Sequence, residues 1–185
     1  IRDRPYGPGY GNPAPELPSY SIVDNWLKQP GYTHAAMVFT GLVCFYLLMC
    51  IMGVNWWLAI AGAIAFAFAS YNIIIIEAGH IVKAYVIGYM PITLAGMFLL
   101  FKRKWLWGAV LFLLGVAFSL LNGHIQITYY LVLLCLFVYL GYSIKMIREK
   151  LTADWLKTSL IMLACVVLAV LPNAKHMYAN WDLGQ

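Results

Sequence analysis

Long apolar runs separated by short polar breaks dominate the chain from about residue 35 onward. Crossing the hydrocarbon core of a bilayer takes about 20 apolar residues in a helix. Lipid offers the backbone no hydrogen-bonding partner, so each lipid-facing run must satisfy its own backbone groups. The pattern predicts an all-α fold, a polytopic transmembrane helix bundle of about six membrane-spanning helices with short loops. The predicted spans are residues 35–52, 55–76, 84–101, 105–121, 125–144 and 157–172.

Composition supports a membrane protein and divides the chain into three parts. Only 10% of the residues are charged and 63% are hydrophobic, whereas soluble domains are about 25% charged. Residues 1–34 are predicted to form an extracytoplasmic segment rich in Pro, Gly and Tyr. Residues 35–172 form the six-helix transmembrane region, and residues 173–185 an extracytoplasmic tail.

Basic residues predict which side of the membrane each loop faces. Seven of the twelve Lys and Arg residues fall in two short stretches, 102–104 and 145–157. Cytoplasmic loops carry an excess of these residues, so both loops are predicted to be cytoplasmic. The net charge of +5 is thereby explained by topology, and no nucleic-acid partner is expected. The chain ends and the turns near residues 77–80 and 122–124 then face outward.

An outward N-terminal segment without its own signal pattern requires an export signal before it. We therefore expect at least one span to precede Ile1 in the natural protein, and the C-terminal tail to be truncated as well.

Histidines are confined to the predicted outer ends of the spans, at His34, His80, His124 and His176. Near neutral pH a histidine side chain can accept a proton, donate a proton or coordinate a metal ion. A shared layer of histidines is therefore a candidate site.

The stretch IIIIEAGHIVKAY places Glu77, His80 and Lys83 at three-residue spacing. Each pair could meet on a continuous helix, although Gly79 is expected to loosen or end that helix. Ionisable residues at membrane depth are costly and usually functional. The alternative is that Glu77 pairs with Lys83 and caps the turn.

A second polar stretch, NGHIQITYY, opens the fifth predicted span. Asn122 and Gly123 predict a helix stop and a tight turn, followed by His124, Gln126 and Tyr129. These groups form either an interfacial turn with an aromatic belt or contacts to a ligand such as a sugar. In the N-terminal segment, Asp24 is a candidate general base or metal ligand, or a solvated or capping carboxylate.

Together these stretches resemble the YfhO-type bacterial membrane proteins, especially those of Bacteroidetes. The resemblance rests on EAGH-x-x-KA at residues 77–84, on Tyr-Met-Pro at residues 89–91 and on NGHIQITYY at residues 122–130. It covers roughly residues 36–145 and hardly extends to the first 15.

The resemblance implies a multi-pass glycosyltransferase of the GT-C class in the bacterial cytoplasmic (inner) membrane. Such enzymes transfer a sugar from a polyprenyl-phosphate donor to a cell-envelope polymer on the extracytoplasmic face. In that class the key acid usually follows a first helix, here expected upstream of residue 1. Family members are also much longer, so the fragment alone is not expected to be active.

Roles for individual residues follow from that reaction. Transfer needs a carboxylate to take the acceptor proton and cations or donors to hold the leaving phosphate. Asp24 stands in for the base, while Glu77 orients His80 or coordinates a divalent metal if one is used. Lys83, His80 and His124 are expected to hold the leaving phosphate, and Gln126 and Tyr129 are expected to contact the sugar. The expected catalytic residues are Asp24, Glu77 and His80, and the expected substrate-binding residues are Lys83, His124, Gln126 and Tyr129.

Two other functions fit the same residues. A transporter or lipid-head-group-binding module would use the outer polar layer without chemistry, and broken helices would favour it. A membrane metal site could be built on the four histidines.

Overall fold

The computed structural model describes the backbone of residues 34–122 and 124–182, and the side chains of residues 35–122, 124 and 126–173. Its regular elements in these ranges are all α-helices, as predicted. They are α1 (His34–Met52), α2 (Trp56–Ala67), α3 (Ser70–Glu77), α4 (Ile81–Phe101), α5 (Trp105–Leu121), α6 (Ile125–Arg148) and α7 (Thr152–Asp182).

Five stretches in the described part of the chain are long and apolar enough to cross a membrane. They are Ala35–Met52, Trp56–Glu77, Ile81–Phe101, Gln126–Arg148 and Thr152–Asn173. The remaining predicted span is α5, an apolar helix of 17 residues. At 1.5 Å per residue it is about 25 Å long, slightly less than the roughly 30 Å hydrocarbon core. The chain is a multi-pass membrane protein built as a helical bundle.

Helix α4 is the centre of the bundle. In its spanning window 72% of the residues are buried, against 28% in α1 and 17% in α6 and α7. Helices α5 and α1 pack most extensively against α4, while α2 packs on α1 and α7 packs on α5. The other helices turn much of their apolar surface outward, as lipid contact allows.

Glycines bring the backbones of α4 and α5 unusually close together. A Cβ atom added to Gly96 would lie 2.6 Å from the Cα of Phe112, and one added to Gly108 would lie 2.7 Å from the Leu100 nitrogen. A Cβ atom added to Gly115 would likewise lie 2.7 Å from the Thr93 nitrogen, and the three contacts follow one antiparallel register. Small residues permit such close approach between membrane helices, so this seam fixes the α4–α5 hairpin.

The second predicted span is interrupted in its middle, where one continuous helix was expected. Helix α2 ends at Ala67 and α3 begins at Ser70. The Asn72 side chain donates from Nδ2 to the Phe66 carbonyl over 2.7 Å. A side-chain amide that bonds nearby backbone competes with the helical ladder, and here it satisfies a carbonyl beside the break.

Both basic turns lie at one end of the bundle, called here the basic end and defined by residues 102–104 and 145–150. Phe101 and Met146 share one core cluster there. Lys102 donates from Nζ to the Ile51 carbonyl at the end of α1, and Arg103 pairs with Asp154 at 2.7 Å. Lys157 lies 4.6 Å from the centre of the Trp105 ring. These contacts link the ends of α1, α4, α5 and α7.

Several predicted boundaries differ from the observed ones. Helix α4 starts at Ile81, three residues earlier than the predicted span, and α6 ends at Arg148, four residues later than predicted. Helix α7 starts at Thr152, five residues before the predicted start, and runs on to Asp182, so that residues 173–182 of the predicted tail continue a helix.

Candidate functional site

The turn between α3 and α4 reverses the chain through a Schellman motif. The His80 N–H donates to the Ile75 carbonyl over 2.9 Å, and the Gly79 N–H donates to the Ile76 carbonyl over 3.0 Å. Gly79 has a φ of +77°, a left-handed conformation that glycine adopts without steric cost. The prediction that Gly79 ends this helix is confirmed.

This turn separates Glu77 from His80 and Lys83. Glu77 is the last residue of α3, His80 is the N-cap of α4, and Lys83 lies in the first turn of α4. Because the helix does not continue past Glu77, the three-residue spacing does not stack Glu77 on His80. In the described part of the chain no hydrogen bond or ion pair joins them. Glu77 and His80 are exposed and Lys83 is half-buried, so their polar groups are available to a ligand.

The turn between α5 and α6 is held by side chains on both sides. Asn122 is the C-cap of α5 and donates from Nδ2 to the Phe118 carbonyl over 2.8 Å. His124 is the N-cap of α6, and its Nδ1 accepts the Ile127 N–H at 3.4 Å. Accepting through Nδ1 leaves Nε2 as the ring donor. His124 therefore caps α6 through Nδ1 and keeps one N–H group, at Nε2, that can donate to a ligand.

Polar side chains of the first turns of α6 face away from the core. Gln126 donates from Nε2 to the Tyr130 hydroxyl over 3.1 Å. Tyr129 is 57% exposed and Tyr130 is 49% exposed, and their ring centres lie 6.0 Å apart. This places an amide and two phenols on an accessible surface, which is the chemistry expected of a sugar contact.

Packing brings the two turns to the same end of the bundle. Ile81, directly after His80, and Leu121, three residues before His124, both pack on one core cluster that includes Tyr89 and Phe118. The rings of Tyr89 and Phe118 lie 5.1 Å apart. We call this the histidine end, defined by His80 and His124. It lies opposite the basic end, because α4 and α6 both begin here and finish there.

Each histidine occupies the N-cap of its helix, His80 for α4 and His124 for α6. The start of a helix carries partial positive charge and N–H groups without intrahelical partners. Two parallel helices beginning at one end therefore present an environment that suits an anion such as phosphate.

Several buried or half-buried polar residues in the described part of the chain were not singled out from the sequence. Asn72 at the interrupted span, Thr158 and Asn173 are among them. Asn173 is fully buried and donates from Nδ2 to the Ala169 carbonyl over 2.8 Å, while its Oδ1 has no partner in the described part of the chain. An amide inside an apolar run was the signal that could have identified Asn72 and Asn173.

Several predicted residues lie outside the described ranges. Asp24 is among them, and so are the side chains of His34 and His176. Among the described side chains no group of three His, Cys, Asp or Glu residues could hold a metal ion. The four-histidine metal site involves two undescribed side chains, and it stays a prediction.

Comparison with known proteins gives no relative: no family model, no curated protein and no solved structure matches the chain. The structure itself identifies a multi-pass helical membrane protein with polar residues gathered at the histidine end.

Proposed function

We propose that this chain is part of an integral-membrane glycosyltransferase. It would transfer a sugar from a polyprenyl-phosphate donor to a cell-envelope acceptor on the extracytoplasmic face of the bacterial cytoplasmic membrane. The observation that carries the proposal is that two histidine N-caps, His80 and His124, lie at the same end of two helices that run in parallel. The similarity of residues 77–84 and 122–130 to the YfhO type supplies the reaction class.

The donor phosphate is assigned to the helix starts of α4 and α6. When the acceptor hydroxyl attacks the anomeric carbon, the bond from that carbon to the phosphate oxygen breaks and charge develops on the leaving phosphate. Imidazole N–H groups of His80 and His124 and the ammonium of Lys83 would stabilise that charge. Glu77 precedes the turn that leads to His80 and would orient His80 once a donor is bound.

The acceptor side is assigned to the exposed start of α6. Gln126 and Tyr129 offer hydrogen bonds and an aromatic face to a sugar ring. The acceptor proton must go to a carboxylate, and Asp24 is the proposed base among the residues of this sequence. If a divalent metal is used, Glu77 would hold it beside the donor phosphate, and loss of transfer on adding a chelator would reveal that requirement.

Sugar transfer by membranes containing the intact protein tests the assignment. His80→Ala and His124→Asn are each expected to lower transfer at least about 100-fold, since phosphate-stabilising donors contribute on this scale. Asparagine is a good N-cap, so His124→Asn keeps the turn of α6 while removing the imidazole. Lys104→Ala, an exposed cation at the basic end, is the matched control.

Unchanged transfer in both histidine variants, with normal membrane insertion, would rule out the site. An equal loss in Lys104→Ala would show that the effect is not specific to the histidine end.

A second candidate, a transporter or lipid-head-group-binding module without catalysis, is favoured by the interrupted span. Broken helices at membrane depth commonly mark transported substrates. The break between α2 and α3 borders a space of about 10 Å³ lined by Gly41, Asn72 and Gly88, among others, which holds about one water molecule. This candidate predicts head-group translocation in liposomes, without sugar transfer, and a lower rate in Asn72→Ala.

A further inference from the structure

A groove runs between α4 and α6 in the half of the bundle nearest the basic end. It has a volume of about 380 Å³ and is lined by Phe98, Val138, Gly141, Tyr142 and Lys145. Phe98 and Tyr142 meet edge to face with ring centres 5.7 Å apart. Tyr142 also stacks on Phe101 at 4.6 Å. The aromatic wall is therefore fixed by ring packing, while the side of the groove at Gly141 is open.

Gly141 creates the open side. A Cβ atom added to it would meet no heavy atom within 4 Å, and the residue is exposed. A glycine inside a helix is less stable than an alanine at the same position. No backbone contact in the described structure requires this glycine, in contrast to Gly96 and Gly108. Its effect is to leave room for something beside α6.

The shape and lining of the groove suit a hydrocarbon chain. From Val138 to Lys145 the groove follows α6 for about 10 Å, or two helical turns. Its remaining walls are apolar and lie at membrane depth, where an unfilled groove loses dispersion contacts.

Charge at one end of the groove selects the head group. Lys145 is exposed and lies at the groove mouth, and Arg148 follows one turn later on α6. Of the nearby acids, Asp154 is paired with Arg103, and the exposed Glu149 offsets one of these two cations. The mouth therefore keeps a net positive charge. Basic residues at a membrane surface attract anionic lipids by about 1 kcal/mol each.

We propose that this groove binds an anionic phospholipid, with an acyl chain between α4 and α6 and the phosphate at Lys145. Lys145 lies 21 residues along α6 from His124, or about 31 Å at helical rise. The lipid site is thus separate from the proposed donor site at the histidine end, and it does not depend on that function.

Native mass spectrometry of the purified full chain with added phosphatidylglycerol or phosphatidylcholine tests the proposal. Wild type is expected to retain phosphatidylglycerol in preference to phosphatidylcholine. Lys145→Gln should weaken phosphatidylglycerol retention about fivefold, because one cation is worth roughly that factor. Gly141→Leu fills the open side and should remove retention of both lipids. Lys150→Gln and Ala164→Leu, both at exposed positions outside the groove, are the matched controls and should bind as wild type.

Equal retention of the two lipids by wild type, or unchanged retention in Lys145→Gln and Gly141→Leu, would overturn the proposal. So would a wild-type dimer that Gly141→Leu dissociates while lipid retention stays constant, since the occupant would then be a second copy. If Gly141→Leu does not yield folded protein, Val138→Phe narrows the same groove from another wall and is expected to give the same loss.

Discussion

Individual residues in left-handed conformation end several of the helices. Gly53 and Gly79 take positive φ as glycines do, but Arg103 and Lys150 do so as well, at φ 61° and 57°. The Lys150 N–H donates to the Ile147 carbonyl and the Leu151 N–H to the Met146 carbonyl, which is again a Schellman motif. Non-glycine residues pay a steric cost of about 1 kcal/mol there, so the basic end keeps cations where glycine would be more stable.

Lys150→Gly is therefore expected to stabilise the protein by about 0.5–1 kcal/mol. The same change at Lys157, inside α7 and over the Trp105 ring, should destabilise it by about 1 kcal/mol or more. Thermal unfolding of both variants in detergent measures the two shifts. A Lys150→Gly variant that unfolds at a lower temperature than wild type would contradict the steric argument.

At the scale of elements, the α4–α5 hairpin depends on glycines that face backbone atoms. Gly96, Gly108 and Gly115 each lie against the partner helix, and a Cβ at any of them would overlap backbone atoms. Backbone cannot rotate away as a side chain can, so the helices would have to separate. Apolar burial does not drive helices together within lipid, which makes this close packing the main source of stability for the seam.

Gly96→Ala is expected to destabilise the bundle by about 1–3 kcal/mol, the usual range for overpacking a tight interface. Gly141→Ala, in a helix interior with open space around it, should instead be neutral or stabilising by up to about 1 kcal/mol. Unfolding of the two variants in the same detergent checks the contrast. Equal stabilities would mean that the α4–α5 contact is looser than described.

The helices themselves were predictable from sequence, but their interruption was not. Runs of apolar residues predict helices because lipid leaves the backbone no other partner. The break at Phe68 and Ala69 follows no Pro or Gly. It depends on Asn72 reaching back to the Phe66 carbonyl, a contact six residues away that periodicity does not reveal.

The candidate site was predictable to a similar degree. Gly79 as a helix end and His124 at a helix start followed from local turn chemistry. Whether the Glu77 and His80 side chains stack could not be predicted, because it depends on whether one helix contains both residues. The structure places them on either side of a turn, Glu77 at the end of α3 and His80 at the start of α4.

At the scale of the molecule, the two ends of the bundle differ in charge and chemistry. The basic end holds residues 102–104 and 145–150, and the histidine end holds His80 and His124. Exposed tryptophans Trp56, Trp57 and Trp107 lie next to turns of the basic end, where interfacial aromatic residues are expected. The charge difference predicts that the basic end faces the cytoplasm.

Cysteine labelling of intact cells tests this orientation. With the four native cysteines, which form no disulfide, replaced by alanine or serine, a membrane-impermeant maleimide should label Ala78→Cys and not Lys150→Cys. Both positions are exposed, so a difference in labelling reports sidedness. Permeabilised cells, in which both variants should react, are the control, and the reverse labelling pattern would overturn the orientation.

By itself the sequence determined the membrane class, the helical fold and the approximate place of each helix. Those properties depend on local composition, because hydrocarbon solvates apolar side chains and forces backbone groups to pair within a helix. Only the tertiary structure decided that α4 is central, that glycines join it to α5 and that His80 and His124 begin helices at one end. In a chain that is apolar on nearly every helix face, hydrophobicity cannot choose partners. Close backbone packing and a few polar contacts make that choice.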